Sequence, residues 1–349
     1  MTKYTFFLLA VLVFLGSCAT NAQQSRYIPE KTATFMFYNV ENLFDTIDDP
    51  DIIDEEFTPE GSKQWNSKRY YKKLNNLSEV IALVNTNEFP EFIAVSEVEN
   101  EQVLLDLAKT GKLKNYDYKV VHHDSNDGRG IDVGMLYRAD AFRLRHSELI
   151  PIEIDASLTK YPLREILYLN GMFENEEVFH IFVNHWKSRR GGEDQTEFMR
   201  VAAAKTLRKK TDDIFEENPD AKIIIAGDMN DEPENKSLSE TLDAKLMMSE
   251  LQEKGLFNLM FMKSLNGQGT HSYHGQWNML DNLIVSEALM NSDKGYKVYP
   301  NGGQILYHHK ILYYNTKADD LTPNKTYGGD NYYGGYSDHL PVYFILEKQ

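Results

Sequence analysis

Polar side chains gather where apolar runs end: Asn39 and Glu41 after Thr34–Tyr38, Glu97 after Phe92–Ser96, and His185 after Val178–Asn184. Asp228 and Asn230 follow Lys222–Ala226, and Asp338 and His339 come just before Val342–Leu346. Glu97, Asp338, Glu41 and Asn39 offer the hard oxygen donors that a magnesium ion takes when one or two carboxylates hold it and water or substrate phosphate completes the shell. Hydrolysis of a phosphodiester needs positive charge at the non-bridging oxygens, an aligned water and a proton source for the departing alkoxide. A histidine paired with a carboxylate suits that chemistry, because the pair favours imidazolium and fixes its orientation.

The elements that must position these residues are legible from periodicity. Thr34–Asn39, Phe92–Glu97, Tyr118–Val121, Ile131–Tyr137, Ile166–Leu169, Val178–Asn184, Lys222–Ala226, Leu283–Val285 and Val342–Leu346 read as strands, several of them continuous apolar runs buried on both faces. Tyr70, Leu74, Leu77, Ile81 and Val84 recur at helical spacing, Asn100 caps a short helix that stops near Gly111, and a longer helix is expected over Asp194–Phe215. An acidic loop runs from Asp45 to Glu60. Many strands interleaved with few helices imply a layered α/β fold, and loops at the ends of a rigid sheet are the usual place for a site assembled from several segments.

The chain opens with Lys3, an apolar run from Tyr4 to Leu15, and then Leu15-Gly16-Ser17-Cys18. This is the pattern of a bacterial lipoprotein leader, so residues 1–17 are read as a signal peptide, Cys18 as the lipidated residue, 18–31 as a tether and 32–349 as the functional domain. A sole cysteine leaves no disulfide to form, and the lipid anchor places the protein outside the cytoplasm, on the periplasmic face or cell surface. The net charge of −16 argues against broad electrostatic adhesion to nucleic acid. It does not exclude a nuclease, since a bound cation reverses the local field.

Four phrases, Phe37-Tyr-Asn39-Val-Glu41-Asn42, Ser96-Glu97-Val-Glu99, Gly227-Asp228-Met-Asn230-Asp231 and Ser337-Asp338-His339-Leu-Pro341, occur in this order over nearly the whole chain. Together they resemble the endonuclease/exonuclease/phosphatase superfamily, which includes deoxyribonuclease I and the abasic-site endonucleases. The resemblance implies a four-layer α/β/β/α sandwich, two mixed sheets flanked by helices, with the site at one edge. It also implies that Asn39, Glu41, Glu97 and Asp338 hold Mg2+, with Mn2+ or Ca2+ as substitutes, and that Asp228 and Asn230 orient water and phosphate. His339 matches the histidine beside the scissile phosphate, Asp281 the carboxylate that orients it, and His185 a phosphate contact at a strand end.

Arg129, in Gly128-Arg-Gly130, and Arg189, in Ser188-Arg-Arg-Gly-Gly192, are candidate substrate contacts. His180 lies inside an apolar run and reads as a core residue; His122, His123, His271, His274, His308 and His309 carry no motif. The tyrosines of Tyr327–Tyr336 sit in a glycine-rich loop leading into Asp338 and are expected beside the site. The functional expectation is an extracytoplasmic, monomeric, metal-dependent phosphodiesterase, with nucleic acid as first substrate. Inositol phosphates or phospholipid head groups are the alternative, and a non-catalytic lipid-anchored binding protein is a third reading that the complete set of polar residues disfavours.

Overall fold

Two sheets carry the molecule, and in each the central strands are the apolar runs that the sequence marks. The computed structural model describes residues 32–349 apart from 85–88, 156, 160–161, 174–175, 301 and 318. The longer strands, in chain order, are β1 (Thr32–Leu43), β2 (Phe92–Val98), β3 (Tyr118–His122), β4 (Asp132–Arg138), β5 (Phe142–Ile150), β6 (Ile166–Phe173), β7 (Val178–His185) and β8 (Lys222–Asp228). Shorter pieces follow: β9 (Ala244–Lys245), β10 (Leu256–Asn258), β11 (His271–Tyr273), β12 (Gln276–Asn278), β13 (Asp281–Ser286), β14 (Tyr296–Val298) and β15 (Gln304–Ile305). The last are β16 (Leu312–Asn315), β17 (Asp320–Pro323), β18 (Tyr327–Gly328), β19 (Asn331–Tyr332) and β20 (Val342–Lys348).

One sheet runs β14-β20-β1-β2-β4-β3, with β15 also pairing with β20, and the other runs β5-β6-β7-β8-β13-β10-β9. Each has a parallel pair at its heart, β1 with β2 and β7 with β8, while the remaining long strands pair antiparallel. Parallel neighbours end at the same edge, so their C-terminal residues are delivered side by side: Asn39 opposite Ser96, and His185 opposite Asp228.

The layers follow from side-chain alternation along the strands. Phe35 and Phe37 point between the sheets, where they meet Ile181, Val183, Ile224 and Ala226, whereas Met36 and Tyr38 point outward to a second core. That outer core is covered by helix α1 (Ser67–Val84), through Tyr70, Leu74, Leu77 and Ile81, and by α2 (Glu101–Ala108), through Val103, Leu104 and Leu107. On the far side α3 (Glu193–Glu217) buries Ala203, Ala204, Leu207, Ile214 and Phe215 against Phe182, Ile223 and Ile225. The result is helix, sheet, sheet, helix. Residues Lys31–Gln349 cluster as one compact unit, and no helix among the described residues is long and apolar enough to cross a membrane. The leader, the tether and Cys18 lie outside the described residues.

Strand β5 is absent from the sequence reading because one of its faces meets solvent, and Phe142-Arg-Leu-Arg-His-Ser lacks a continuous apolar run. The hairpins β11–β12 and β16–β17 are likewise too short and polar to register by periodicity.

Candidate active site

At the edge where β1, β2, β7 and β8 end, the backbone leaves ideal strand geometry. Pairing of β1 with β2 shifts register between Asn39 and Leu43, and pairing of β2 with β4 shifts between Ser96 and Val98. Glu41, Asn42, Glu97 and Asn230 all have φ between 50° and 63°. The left-handed region costs a non-glycine residue free energy and persists where surrounding contacts impose it, commonly at functional sites. Here the bulges turn successive side chains toward one point.

Asn39 ties the two sheets together. Its Nδ2 donates to Glu97 Oε1 (3.2 Å) and to Asp228 Oδ2 (3.1 Å), while its Oδ1 accepts from the Glu41 amide (3.0 Å). Glu97 Oε2 accepts from the Asn42 amide (3.0 Å), so the carboxylate is fixed from both sides. Asp228 Oδ1 accepts from the Asn230 amide (3.0 Å), and Asn230 Nδ2 donates to the Trp186 carbonyl (3.1 Å). Burial raises the Asp228 carboxyl to about 7, with Asp281 and Glu97 adding to the push and His339 pulling the other way.

The predicted Asp281–His339 pair is formed: His339 Nδ1 lies 2.7 Å from Asp281 Oδ2, and the other ring nitrogen, Nε2, is 3.8 Å from Asp228 Oδ2. Burial opposes the imidazolium, but Asp281 and Asp228 outweigh it and hold His339 well above the usual histidine range. Asp281 opens β13 directly opposite Asp228, which is why the two carboxylates can share one histidine. His185 Nε2 sits 3.7 Å from Asp228 Oδ2 and 3.8 Å from Glu97 Oε1. Burial, reinforced by Arg164, Arg129 and His339, keeps it well below the usual range, so it is neutral, and its buried Nδ1 has no hydrogen-bond partner. At Asp338 burial acts upward, yet His339, His271, Lys73 and Lys325 together hold the carboxyl below the usual range.

One expected residue gains a second part, and another is redirected. Glu41 Oε2 and Oε1 accept from the backbone amides of Thr326 (2.6 Å) and Tyr327 (3.1 Å), with Lys73 Nζ 3.8 Å away, so its carboxylate anchors the 326–327 segment. Burial and Asp338 push Glu41 up to about 7 against Lys73. Arg189 does not face a substrate space: its Nε donates to the Asn230 carbonyl (2.8 Å) and Nη2 to Asn235 Oδ1 (3.0 Å), and Glu193 and Asp231 flank it. It braces the loop after Asp228, alongside the fully buried Arg200, whose Nε is 2.6 Å from Asp231 Oδ1. Arg129 stands exposed on the rim of a cleft of about 490 Å³ that reaches His185.

Two tyrosines of the 327–336 loop, Tyr327 and Tyr332, are engaged by the outer layer of the fold. Tyr327 packs on Trp65 and Phe57, and Arg69 stacks over Tyr332. Three residues of the site were missed by sequence reasoning. Lys73, on the buried face of α1, donates to Thr326 Oγ1 (2.6 Å) and the Tyr336 carbonyl (2.7 Å); a lysine within a helix's apolar stripe was the available signal. Arg164 holds the carbonyls of His185 and Trp186 (both 2.9 Å) and carried no motif. His271 stacks on His339 at 4.8 Å between ring centroids and bridges it through the backbone, a proximity that sequence separation hides.

The donor set suits a hard divalent cation. Glu97, Asp338 and Asn39 contribute oxygen chemistry, and burial, with neighbouring carboxylates adding to it, raises Glu41 and Asp228 toward neutrality, a state that added positive charge relieves. Glu41 belongs with them: its oxygens, like those of Glu97 and Asn39, each accept one hydrogen bond, which leaves a lone pair for a cation.

The family model described as Endonuclease/Exonuclease/phosphatase family matches residues 34–348. Among solved structures, a humanised TDP2 from D. rerio superposes with TM-score 0.54 at 15% identity, covering 91% of this chain and 99% of that one. An endonuclease/exonuclease/phosphatase family protein from Bacteroides thetaiotaomicron gives TM-score 0.53 at 16% identity, covering 92% and 98%. The human nocturnin catalytic domain, solved with a bound sulfate anion, gives 0.54 at 16% identity, covering 91% and 95%. At these identities the likeness is one of fold. Comparison with curated proteins finds no match.

Proposed function

This chain belongs to the endonuclease/exonuclease/phosphatase family and is a metal-dependent phosphoester hydrolase; within that class we propose that it is a nuclease, cutting phosphodiester bonds outside the cytoplasm. The observation that carries the choice is the cleft beside His185. Arg129, Lys187 and Arg190 stand exposed around it, in a chain whose net charge is −16. Burial, then the neighbouring Arg164, Arg129 and Arg190, depress the Lys187 ammonium against Asp127, so cations outnumber carboxylates around it. A polyanion laid from the catalytic centre into this cleft redresses that imbalance. TDP2 of D. rerio has been solved with a single-strand DNA product, which accords with a nucleic-acid substrate on this fold.

The chain's own residues account for most of the reaction. Asp228, aligned by Asn39 and the Asn230 amide, orients the attacking water and takes its proton; a carboxyl raised to about 7 is well matched to that task near neutral pH. His339 holds a non-bridging phosphate oxygen as a fixed cation. Asp281 and Asp228 keep the ring charged against burial, so its Nε2 also carries the proton that the departing alkoxide, a far stronger base, takes up as the P–O bond breaks. Asp281 orients the ring through Nδ1 and leaves Nε2 for the phosphate. Asn230 and neutral His185 offer donors to the other oxygens. Glu41, Glu97, Asp338 and Asn39 would hold the divalent ion, which supplies Lewis-acid charge to the phosphate when bound; magnesium fits their oxygen chemistry, as do manganese and calcium.

The test is hydrolysis by the form beginning after Cys18, with magnesium and with EDTA, of plasmid DNA, RNA, bis-p-nitrophenyl phosphate and inositol polyphosphates. EDTA-sensitive cleavage of DNA or RNA supports the nuclease reading; phosphate release from inositol polyphosphates with intact nucleic acid replaces it with a phosphatase. Location is proposed from the leader pattern: Cys18→Ala in the full chain should release the protein from the membrane fraction, and retention there would refute lipidation at Cys18.

A further inference from the structure

We propose that the hollow between hairpins β11–β12 and β16–β17 is a subsite for a nucleotide unit adjoining the phosphate that is cut, an inference that rests on the nuclease reading above. The hollow has a volume of about 370 Å³, within the range of roughly 300–1,000 Å³ typical of ligand pockets. Its walls carry Tyr273 from β11, Tyr313 from β16, Lys317 and Lys325, and its inner end carries His271 and Asp338. It therefore opens onto the catalytic centre and shares no lining residue with the cleft at His185.

Neither hairpin belongs to the two large sheets, so the sandwich alone does not make this space. The hairpins are joined by Trp277 Nε1, which donates to Asp320 Oδ2 (3.2 Å). They are pinned to the centre by the backbone bridge between His271 and His339 and by the Leu340 amide on the Thr270 carbonyl (2.8 Å). A group bound there is held at a fixed distance from His339.

The chemistry selects the occupant. Tyr273 and Tyr313 are 64% and 47% exposed, large aromatic surface left open on a rigid frame. Lys317 is exposed and in no ion pair among the described residues, and the half-buried Lys325 lies toward Asp338, so the hollow carries positive charge at both its rim and its inner end. Open π faces next to cations match a ligand that joins a flat ring to a phosphate. Nucleotides have both, whereas inositol polyphosphates bring the anions without the ring and leave the tyrosines idle. The stacking is indifferent to which base is present, so the subsite grips a strand without reading its sequence.

The experiment compares kcat/KM on short oligodeoxynucleotides, oligoribonucleotides and bis-p-nitrophenyl phosphate for the wild type, Tyr313→Ala, Lys317→Glu and the double variant. Both positions are exposed, so folding should survive, and circular dichroism checks it. The ratio of oligonucleotide to bis-p-nitrophenyl phosphate kcat/KM should fall about tenfold or more in the double variant, chiefly through KM. An unchanged ratio overturns the subsite, whether because oligonucleotide cleavage persists or because both substrates fall together. A wild type that hydrolyses bis-p-nitrophenyl phosphate but neither oligonucleotide refutes the nuclease reading itself, and the subsite with it. As a second readout, a 2-aminopurine oligonucleotide bound to Asp228→Ala should be quenched, and adding Tyr313→Ala should remove the quench; persistence of the quench places the base elsewhere.

Discussion

Asp281→Asn isolates the charge on the carboxylate that holds His339, with little change in shape. Asp281 is fully buried, its Oδ2 is 2.7 Å from His339 Nδ1, and its Oδ1 has no hydrogen-bond partner. The asparagine can still accept from Nδ1–H, so ring orientation is largely kept while the ionic part of the bond is lost. A hydrogen bond to a charged group contributes about 1.5–3 kcal/mol, and each 1.36 kcal/mol corresponds to about tenfold in rate. If that difference is expressed in the transition state, kcat/KM falls about tenfold to a hundredfold. The assay is hydrolysis of bis-p-nitrophenyl phosphate with saturating magnesium across pH 5.5 to 9.5, with thermal melting to confirm the fold. The sign of the pH effect is also fixed. Asp281 raises the affinity of His339 for its proton, so its neutralisation makes the imidazolium lose charge at lower pH, and the alkaline decline in activity should move to lower pH. A rate within twofold of wild type, with an unmoved profile, would refute the pairing as a source of catalysis.

Asp228→Ala should reduce turnover by about a thousandfold or more while leaving a folded protein, because it removes the group aligned by Asn39 and the Asn230 amide; residual activity within tenfold would remove Asp228 from the mechanism. Lys73→Met should destabilise the fold by about 2–4 kcal/mol in urea unfolding, since the buried Glu41, Thr326 Oγ1 and the Tyr336 carbonyl lose a shared donor or counter-charge; a loss under about 1 kcal/mol would show that Glu41 does not depend on it. Burial, helped by Lys210, lowers the His180 imidazole to about 4. As pH falls below about 6.5 the unfolded chain takes up the proton first, so this site costs about 2 kcal/mol of stability between pH 7 and pH 5. His180→Gln should flatten that dependence, and an unaltered slope would assign it to other groups.

The sequence by itself determined much of the frame. Phe35 to Tyr38, Phe92 to Val95 and Ile223 to Ala226 are apolar without alternation because both faces of these strands are covered, so they stand out as central strands. The polar residues that end them were visible for the same reason, since hydrophobicity stops where the sheet edge begins. Local pattern could not assign partners. That Glu41 also anchors a loop depends on Thr326 and Tyr327, which fold back from nearly 300 residues downstream. Arg189 resembles a phosphate clamp until the loop after Asp228 occupies its guanidinium. His271 looked like an incidental histidine, yet a single backbone bridge brings it onto His339. Tertiary structure decided these points because a hydrogen-bonding group is committed by whatever reaches it in space first, and chain separation carries no record of that distance.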